Sequence, residues 1–146
     1  MTKAIIIFGS TTGNTEELSE GVAKGLKSNA EVTIENVADT DINALADYDL
    51  LVFGCPTWGE GELQEDFIDF YEEMTEDIFK GKKAAVFGPG DKEGYPDFFC
   101  DAVTMIETKL KECGAELVAE GFKVDGDIDL AMDDAEEWGK KVISAL

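Results

Sequence analysis

A turn rich in hydroxyl groups, residues 9–16 with the sequence GSTTGNTE, is the first segment whose residue types could bind a ligand. It follows the apolar run 4–8 and precedes a pattern that places Leu18, Val22 and Leu26 on one face of a helix. The first backbone N–H groups of a helix have no intrahelical acceptors and lie at the positive end of its dipole, so a phosphate is a natural ligand there. The candidate phosphate-binding residues are Ser10, Thr11, Thr12, Gly13, Asn14 and Thr15.

The turn lacks the features of two common nucleotide-binding motifs. No Gly-Lys-Ser/Thr follows it, as a P-loop requires, and it does not contain Gly-x-Gly-x-x-Gly. Because it holds no basic side chain, neutral donors and the helix dipole would have to compensate the phosphate charge. The alternative interpretation is that Thr12 or Asn14 only caps the helix and that the remaining residues form a polar turn.

Two further loops carry aromatic residues that could hold a flat heterocycle. Segment 54–63, GCPTWGEGEL, places Trp58 after a buried apolar run, and segment 88–100, GPGDKEGYPDFFC, places Tyr95 after another. An exposed aromatic ring on a loop often marks a recognition site. Either ring alone could simply cover its loop, but the two together, beside a phosphate-binding turn, favour a site for a planar ring.

The composition excludes several classes of chemistry. The chain has 33 acidic and 12 basic residues, a net charge of −21, and neither histidine nor arginine. Ser-His and Cys-His nucleophiles and histidine-based zinc sites are therefore impossible, which favours chemistry supplied by a cofactor. The charge would repel nucleic acids and anionic membranes and attract basic protein partners.

The cysteines and the apolar runs predict a cytoplasmic protein. Cys55, Cys100 and Cys113 form no Cys-x-x-Cys motif, and their odd number predicts buried thiols rather than a disulfide framework. No apolar run approaches the roughly 20 residues that span a membrane, and the N-terminus does not resemble a signal peptide.

Apolar runs alternate with helical patterns along the whole chain, which predicts one doubly wound α/β domain over residues 1–146, a parallel sheet with helices on both faces. The predicted strands are 4–8, 32–37, 50–53, 84–87, and 117–118 continuing toward 122–124. The predicted helical faces are Leu18, Val22 and Leu26; Leu63, Phe67, Phe70 or Tyr71, and Met74; Phe99, Val103, Ile106 and Leu110; and Ala135, Trp138, Val142 and Leu146. Gly81 and Gly114 are predicted helix stops, and a short helical turn is predicted at 42–45. Ligands of such sheets bind beyond the carboxyl ends of the strands, which here are followed by the three loops 9–15, 54–62 and 88–100.

These three loops, in this order, resemble those of the flavodoxins. Residues 9–16 resemble the loop that holds the phosphate of FMN, residues 55–64 the loop whose tryptophan covers one flavin face, and residues 90–95 the loop whose tyrosine covers the other. The resemblance implies the strand order 2-1-3-4-5. The chain has no room for the insertion of the long-chain subgroup, so it resembles a short-chain member, although its third loop has two more residues than many of these. Tyr95 is the expected stacking residue, and Phe98 is the alternative.

The resemblance implies an electron carrier that binds FMN without a covalent bond. The implied cofactor-binding residues are the phosphate-binding set together with Pro56, Thr57, Trp58, Gly59, Glu60, Gly61, Gly88, Gly90, Asp91, Tyr95, Phe98 and Cys100. Backbone N–H groups near Thr57, Asp91 and Cys100 would bind the pyrimidine edge of the flavin. A rotated Gly59 carbonyl would stabilise the neutral semiquinone, while nearby carboxylates would disfavour the anionic hydroquinone.

The function implied is a low-potential, one-electron shuttle between semiquinone and hydroquinone, monomeric and without catalytic residues or metal. Its partners would be redox proteins with basic docking surfaces, such as reductases, oxidoreductases and hydrogenase-type systems. The alternative is an FMN-dependent NAD(P)H:quinone reductase of the same fold, but the chain offers no arginine for the dinucleotide phosphates. A receiver domain would need an acidic pair after the first strand, where this chain has Gly9 and Ser10. A tyrosine-phosphatase-like enzyme would need Cys-x5-Arg, and the chain has no arginine.

Overall fold

The computed structural model describes residues 2–9, 13–58, 62–90, 100–125 and 128–146, with only the backbone at Trp58 and Glu62. The strands are β1 (Thr2–Phe8), β2 (Ala30–Asn36), β3 (Leu50–Gly54), β4 (Thr57–Trp58), β5 (Glu62–Leu63), β6 (Lys83–Gly90), β7 (Glu116–Leu117) and β8 (Phe122–Asp125). The helices are α1 (Asn14–Leu26), α2 (Glu65–Glu73), α3 (Glu76–Phe79), α4 (Asp101–Glu112) and α5 (Met132–Ser144), with 3-10 turns at Val37–Asp39, Ile42–Asp47 and Ile128–Ala131.

The main sheet is parallel and has the order β2-β1-β3-β6, with β7 and β8 both paired to β6 at the far side. Since β7 and β8 together take the place of a fifth strand, the predicted order 2-1-3-4-5 is confirmed. The central strands are buried on both faces, as their continuous apolar runs predict. The short 3-10 turn at Ile42–Asp47 lies where the helical turn was predicted.

Successive residues of the central strands face two separate cores, because side chains alternate across a strand. Ile5, Leu51 and Val86 face a core covered by α2, α3 and α4. The intervening positions, such as Ile6 and Val52, face a core covered by α1 and α5. The predicted coverage of both faces of the sheet is therefore confirmed.

The fifth strand is broken, whereas the sequence predicted a run continuing from 117–118 toward 122–124. Side chains from both helical layers bind the backbone at the break. The Trp138 indole N–H donates to the Glu120 carbonyl at 2.9 Å. On the other side, the Glu107 carboxylate lies beside the Gly121 backbone, next to the start of β8, where the polar contact favours its charged form. These side chains occupy the place where an unbroken strand would continue its ladder.

Several predicted helix ends are wrong by a few residues. Leu63 lies in β5, not on the helix that carries Phe67, because it pairs with Thr57 across a short antiparallel hairpin. Leu146 lies beyond the end of α5 and is partly exposed. Phe99 lies outside the described residues.

Gly81 and Gly114 both adopt positive φ, as expected of residues that terminate helices. After α4, the Ala115 N–H bonds the Leu110 carbonyl and the Gly114 N–H bonds the Lys111 carbonyl, which is a Schellman motif. No helix in the described part of the chain is long and apolar enough to cross a bilayer.

Candidate functional site

The carboxyl ends of the three central strands meet at one edge of the sheet, as predicted. The Gly9 N–H donates to the Gly54 carbonyl at 2.9 Å, which joins the segment after β1 to the end of β3. The Cys55 N–H donates to the Phe87 carbonyl at 3.1 Å, which joins the segment after β3 to β6. The three segments with candidate binding residues therefore leave the sheet side by side.

The first segment leads into α1 through Gly13, the residue directly before the helix. Gly13 is the N-cap residue, with φ 91° in the left-handed region, and as a glycine it has no side chain of its own to cap the helix. Asn14 is the first helical residue, so the alternative that its side chain is the N-cap is wrong, because an N-cap lies outside the helix. Ser10, Thr11 and Thr12 lie outside the described residues. The alternative that Thr12 is the N-cap residue falls on one of them.

Thr15 is the buried polar group of this segment. It is 1% exposed, and its Oγ1 has no hydrogen-bond partner among the described residues. Leaving a buried hydroxyl unsatisfied is unfavourable, so such a group in a folded protein needs an explanation. Its position in the first turn of α1, where the helix dipole favours an anion, fits the hydroxyl as a ligand of a phosphate.

The Gln64 side chain packs against Gly9, so a side chain at Gly9 would require the end of Gln64 to move. A Cβ there would lie 2.5 Å from Gln64 Oε1 and 3.1 Å from the Phe67 ring. Gln64 is 2% exposed, and its Nε2 donates to Asp66 Oδ2 at 3.1 Å. Gln64 thus lies between the first segment and α2, a role that the sequence analysis missed because a single buried amide has no periodic signal.

The second segment is a hairpin rather than the predicted loop. Strands β4 and β5 pair antiparallel, Thr57 with Leu63 and Trp58 with Glu62. Pro56 and Thr57 are half-buried at its start. The side chain of Trp58 and the candidate residues Gly59, Glu60 and Gly61 lie outside the described part of the chain, so their roles stay predictions.

The third segment begins later than predicted. Gly88 and Gly90 lie in β6, where they pair with Lys123 and Asp125 of β8, and not in a loop. Glycine and proline are poor strand formers, but pairing with β8 carries the strand through them. A Cβ at Gly88 would collide with the Cys55 carbonyl, so the close approach of the two segments requires glycine. Asp91, Tyr95 and Phe98 lie outside the described residues.

Cys100 lies at the end of the third segment in a strained conformation. Its φ of 53° and ψ of 31° are left-handed, and it is the only non-glycine residue with positive φ in the described part of the chain. Its thiol lies 3.5 Å from the Gly88 carbonyl oxygen and 4.0 Å from that of Val124. Strained backbone of this kind is concentrated at functional sites.

The cysteines beside the site are neutral. Burial raises the pKa of the Cys55 thiol to about 12 and that of Cys100 to about 11. Both are protonated at neutral pH, and a thiolate is the reactive form of cysteine. Cys55, Cys100 and Cys113 are all buried and free, as the sequence predicted. The described residues contain no group of three Cys, Asp or Glu side chains placed to bind a metal.

A hydrogen bond that the sequence did not predict connects the second segment to the first turn of α4, directly after the third segment. Thr57 Oγ1 accepts from the Ala102 N–H at 2.9 Å. The two residues are 45 positions apart, so no local pattern could predict the contact.

Comparison with known proteins gives a consistent result. The family model described as Flavodoxin matches residues 6–138. A flavodoxin of Maridesulfovibrio salexigens is 42% identical over 150 aligned residues, covering all of both chains. The crystal structure of oxidised Flavodoxin 1 from Bacillus cereus is 34% identical, covers 99% of each chain and superposes with a TM-score of 0.88. A short-chain flavodoxin associated with a bacterial microcompartment also has a TM-score of 0.88, at 28% identity, covering 99% of this chain and 98% of its own.

Proposed function

The chain belongs to the flavodoxin family, and from this premise we propose that it binds FMN at the carboxyl edge of its sheet and carries electrons one at a time between redox proteins. Bound FMN supplies the redox chemistry, since its ring accepts and returns single electrons. The protein is an electron-transfer protein rather than an enzyme, and the comparisons do not favour the alternative of a quinone reductase.

The Thr15 hydroxyl, which has no hydrogen-bond partner among the described residues, is the observation that supports phosphate binding most directly. It is buried, lies in the first turn of α1 and follows the glycine with positive φ at the N-cap. An anion at this position would accept its hydrogen bond and interact favourably with the helix dipole. We assign Ser10, Thr11, Thr12, Gly13, Asn14 and Thr15 to the phosphate. Residues 9–16 hold no basic side chain, so neutral donors and the helix dipole would have to compensate the phosphate charge.

The second and third segments are the proposed site for the flavin ring. Trp58 and Tyr95 would cover its two faces, with Phe98 as the alternative to Tyr95. Backbone N–H groups at Thr57, Asp91 and Cys100 would bind its pyrimidine edge. The convergence of these segments is supported by the Cys55–Phe87 hydrogen bond and by the close approach of Gly88 to Cys55. The remaining proposed contacts are Pro56, Gly59, Glu60, Gly61, Gly88 and Gly90.

The negative charge of the chain should lower the potential at which bound FMN takes up its second electron. Glu60, Glu62 and Asp91 flank the proposed ring site in sequence, and the chain carries a net charge of −21. Carboxylates near the ring disfavour addition of a further negative charge and lower the potential of the second electron. The Gly59 carbonyl, which could turn toward the ring because glycine tolerates positive φ, would accept a hydrogen bond from a protonated ring nitrogen and raise the first potential. The result is a low-potential carrier.

The decisive experiment is a visible spectrum of the purified protein during stepwise reduction with dithionite under argon. We expect the absorption of bound flavin and, near one electron per flavin, a long-wavelength band that decays as the second electron enters. Gly59→Ala should weaken that band, and Gly13→Ala, which strains the first segment instead, should weaken FMN binding. A protein that neither contains nor binds FMN would refute the proposal. Passage straight to the two-electron state would favour a reductase.

We further propose one domain over residues 1–146, a monomer in the cytoplasm, and redox partners with basic docking surfaces. The main sheet, with a core on each face, supports one domain. The net charge supports attraction to basic partners, with association that weakens as salt rises. A stopped-flow measurement of electron transfer to cytochrome c, a basic redox protein, at increasing ionic strength tests the last point. Rates that do not fall with salt would contradict it.

A further inference from the structure

The N-terminus of α4 is not capped by its own preceding residue. The N-cap position is Cys100, whose side chain makes no capping hydrogen bond. A serine, threonine, aspartate or asparagine at an N-cap normally accepts from the second or third helical N–H. The second helical residue of α4 is Ala102, which is 0% exposed, so water is a poor substitute for a protein acceptor at its N–H.

Thr57 provides the missing acceptor from a different part of the fold. Its Oγ1 accepts a hydrogen bond from the Ala102 N–H at 2.9 Å, a typical N–H···O distance. Thr57 belongs to β4, the first strand of the second segment. The Thr57 hydroxyl therefore caps α4 from a distant part of the same chain. It connects the backbone before Trp58 to the backbone after Cys100.

We propose that Thr57 is a positioning residue for the flavin site, an inference that rests on the proposed function. By capping α4, its hydroxyl holds the Cys100 peptide in its strained conformation and sets the distance between the second and third segments. A left-handed conformation of a non-glycine residue persists only where its surroundings fix it. The Cys100 thiol makes only long contacts of 3.5 and 4.0 Å to carbonyl oxygens. The Cys100 carbonyl accepts from the Val103 N–H at 3.0 Å within the first turn of α4, and the 2.9 Å bond from the Ala102 N–H to Thr57 Oγ1 joins this same turn to the second segment.

The residues around the Thr57–Ala102 hydrogen bond are closely packed. Gly88 approaches the Cys55 carbonyl too closely for a Cβ, and the same Cβ would lie 3.1 Å from Val103 of α4. Val103 is itself fully buried. Strand β6, the start of the second segment and the first turn of α4 are thus in direct contact, and a shift of α4 would be transmitted to the proposed ring site.

The test compares two substitutions in the holoprotein. Thr57→Val keeps the shape of the side chain and removes the acceptor, whereas Thr57→Ser keeps the acceptor. Thr104→Val, at an exposed position of the same helix, is the matched control. FMN release on dilution is followed by flavin fluorescence, and the two one-electron midpoint potentials are measured by spectroelectrochemistry.

We expect Thr57→Val to raise the Kd for FMN about tenfold, because a buried N–H loses its acceptor. If FMN binds tenfold more weakly in only one oxidation state, the one-electron potential that involves this state shifts by about 59 mV. Thr57→Ser and Thr104→Val should stay within about twofold of the wild type in Kd. Unchanged potentials and Kd in Thr57→Val would overturn the inference, and so would loss of stability alone, since that would make Thr57 only a structural cap.

A second measurement needs no substitution and tests the cap itself. In the wild-type holoprotein the Ala102 amide should exchange with solvent as slowly as amides in the middle of α4, although it lies in the first turn. Fast exchange at Ala102 would overturn the inference even where Thr57→Val fails to fold. FMN binding by the wild type is scored separately, because its absence would refute the proposed function, and the assigned role of Thr57 with it.

Discussion

Replacing Thr15 by valine should change the stability of the apoprotein and its affinity for FMN in opposite directions. The Thr15 side chain is buried, and Oγ1 lacks a partner among the described residues. An unsatisfied buried hydroxyl costs about 1–3 kcal/mol, so the isosteric valine should stabilise the apoprotein by about 1 kcal/mol. In the holoprotein the same change removes a hydrogen bond to a charged phosphate, worth about 2 kcal/mol, which raises Kd about thirtyfold.

The neighbouring Ser19 is the matched control. It is also buried in α1, but its hydroxyl is satisfied because it donates to the Thr15 carbonyl at 2.8 Å. Ser19→Ala should therefore destabilise the apoprotein by about 1 kcal/mol and leave Kd for FMN within about twofold. The opposite signs of the two effects on stability separate a hydroxyl reserved for a ligand from one that holds the helix.

The assays are urea unfolding of the apoprotein followed by circular dichroism and FMN titration followed by quenching of flavin fluorescence. Valine at position 15 should raise the urea midpoint and weaken the titration. A lower urea midpoint together with unchanged FMN affinity would refute the reasoning, because it would show that Oγ1 is already satisfied within the protein and does not contact the phosphate.

Three further predictions concern the scaffold. Gly25→Ala should lower the free energy of unfolding in urea by about 2 kcal/mol despite the better helix propensity of alanine, because its Cβ would collide with the Glu136 carbonyl of α5; the exposed Lys24→Ala on the same helix should change it little, and an equal effect would contradict the prediction. Burial raises the pKa of the Glu107 carboxyl above its ordinary value of 4.5, so its charge destabilises the native state above that raised pKa. Glu107→Gln should therefore raise the urea midpoint at pH 7 but not at pH 4, and a gain at both values would exclude titration as the cause. Cys55, with a pKa of about 12 and no exposure, should resist a thiol reagent at pH 8 until the protein unfolds; rapid labelling of the native protein would show that the site opens.

The features that the sequence predicted correctly depend on local patterns. The central strands could be recognised because strands buried on both faces are continuous apolar runs, as at Ile5 and Leu51. Helix α1 could be recognised because Leu18 and Val22 recur on one face, and Gly114 because a left-handed helix stop favours glycine. The order of the three loops then located the candidate site at the carboxyl edge of the sheet.

The tertiary structure decided features that oppose the local conformational preference of the residues, and elements too short to show a periodic pattern of apolar residues. A two-residue strand such as Thr57–Trp58 has no measurable alternation, so its pairing with Glu62–Leu63 was not predicted. Strand β6 continues through Gly88 because β8 pairs with it, although its local sequence predicts a loop. The break before β8 is held by side chains from helices on both faces, which no single segment of the sequence encodes.

The amino-acid sequence by itself determined the doubly wound sheet and the order of the loops, because both depend on the pattern of neighbouring residues, and its resemblance to the flavodoxins implied the ligand. Only the tertiary structure decided that the Thr15 hydroxyl lacks a described partner and that Thr57 caps a helix that begins 44 positions further along the chain, at Asp101. Burial and hydrogen-bond partners are set by packing between distant segments, and a pattern of residues along one segment carries no information about them.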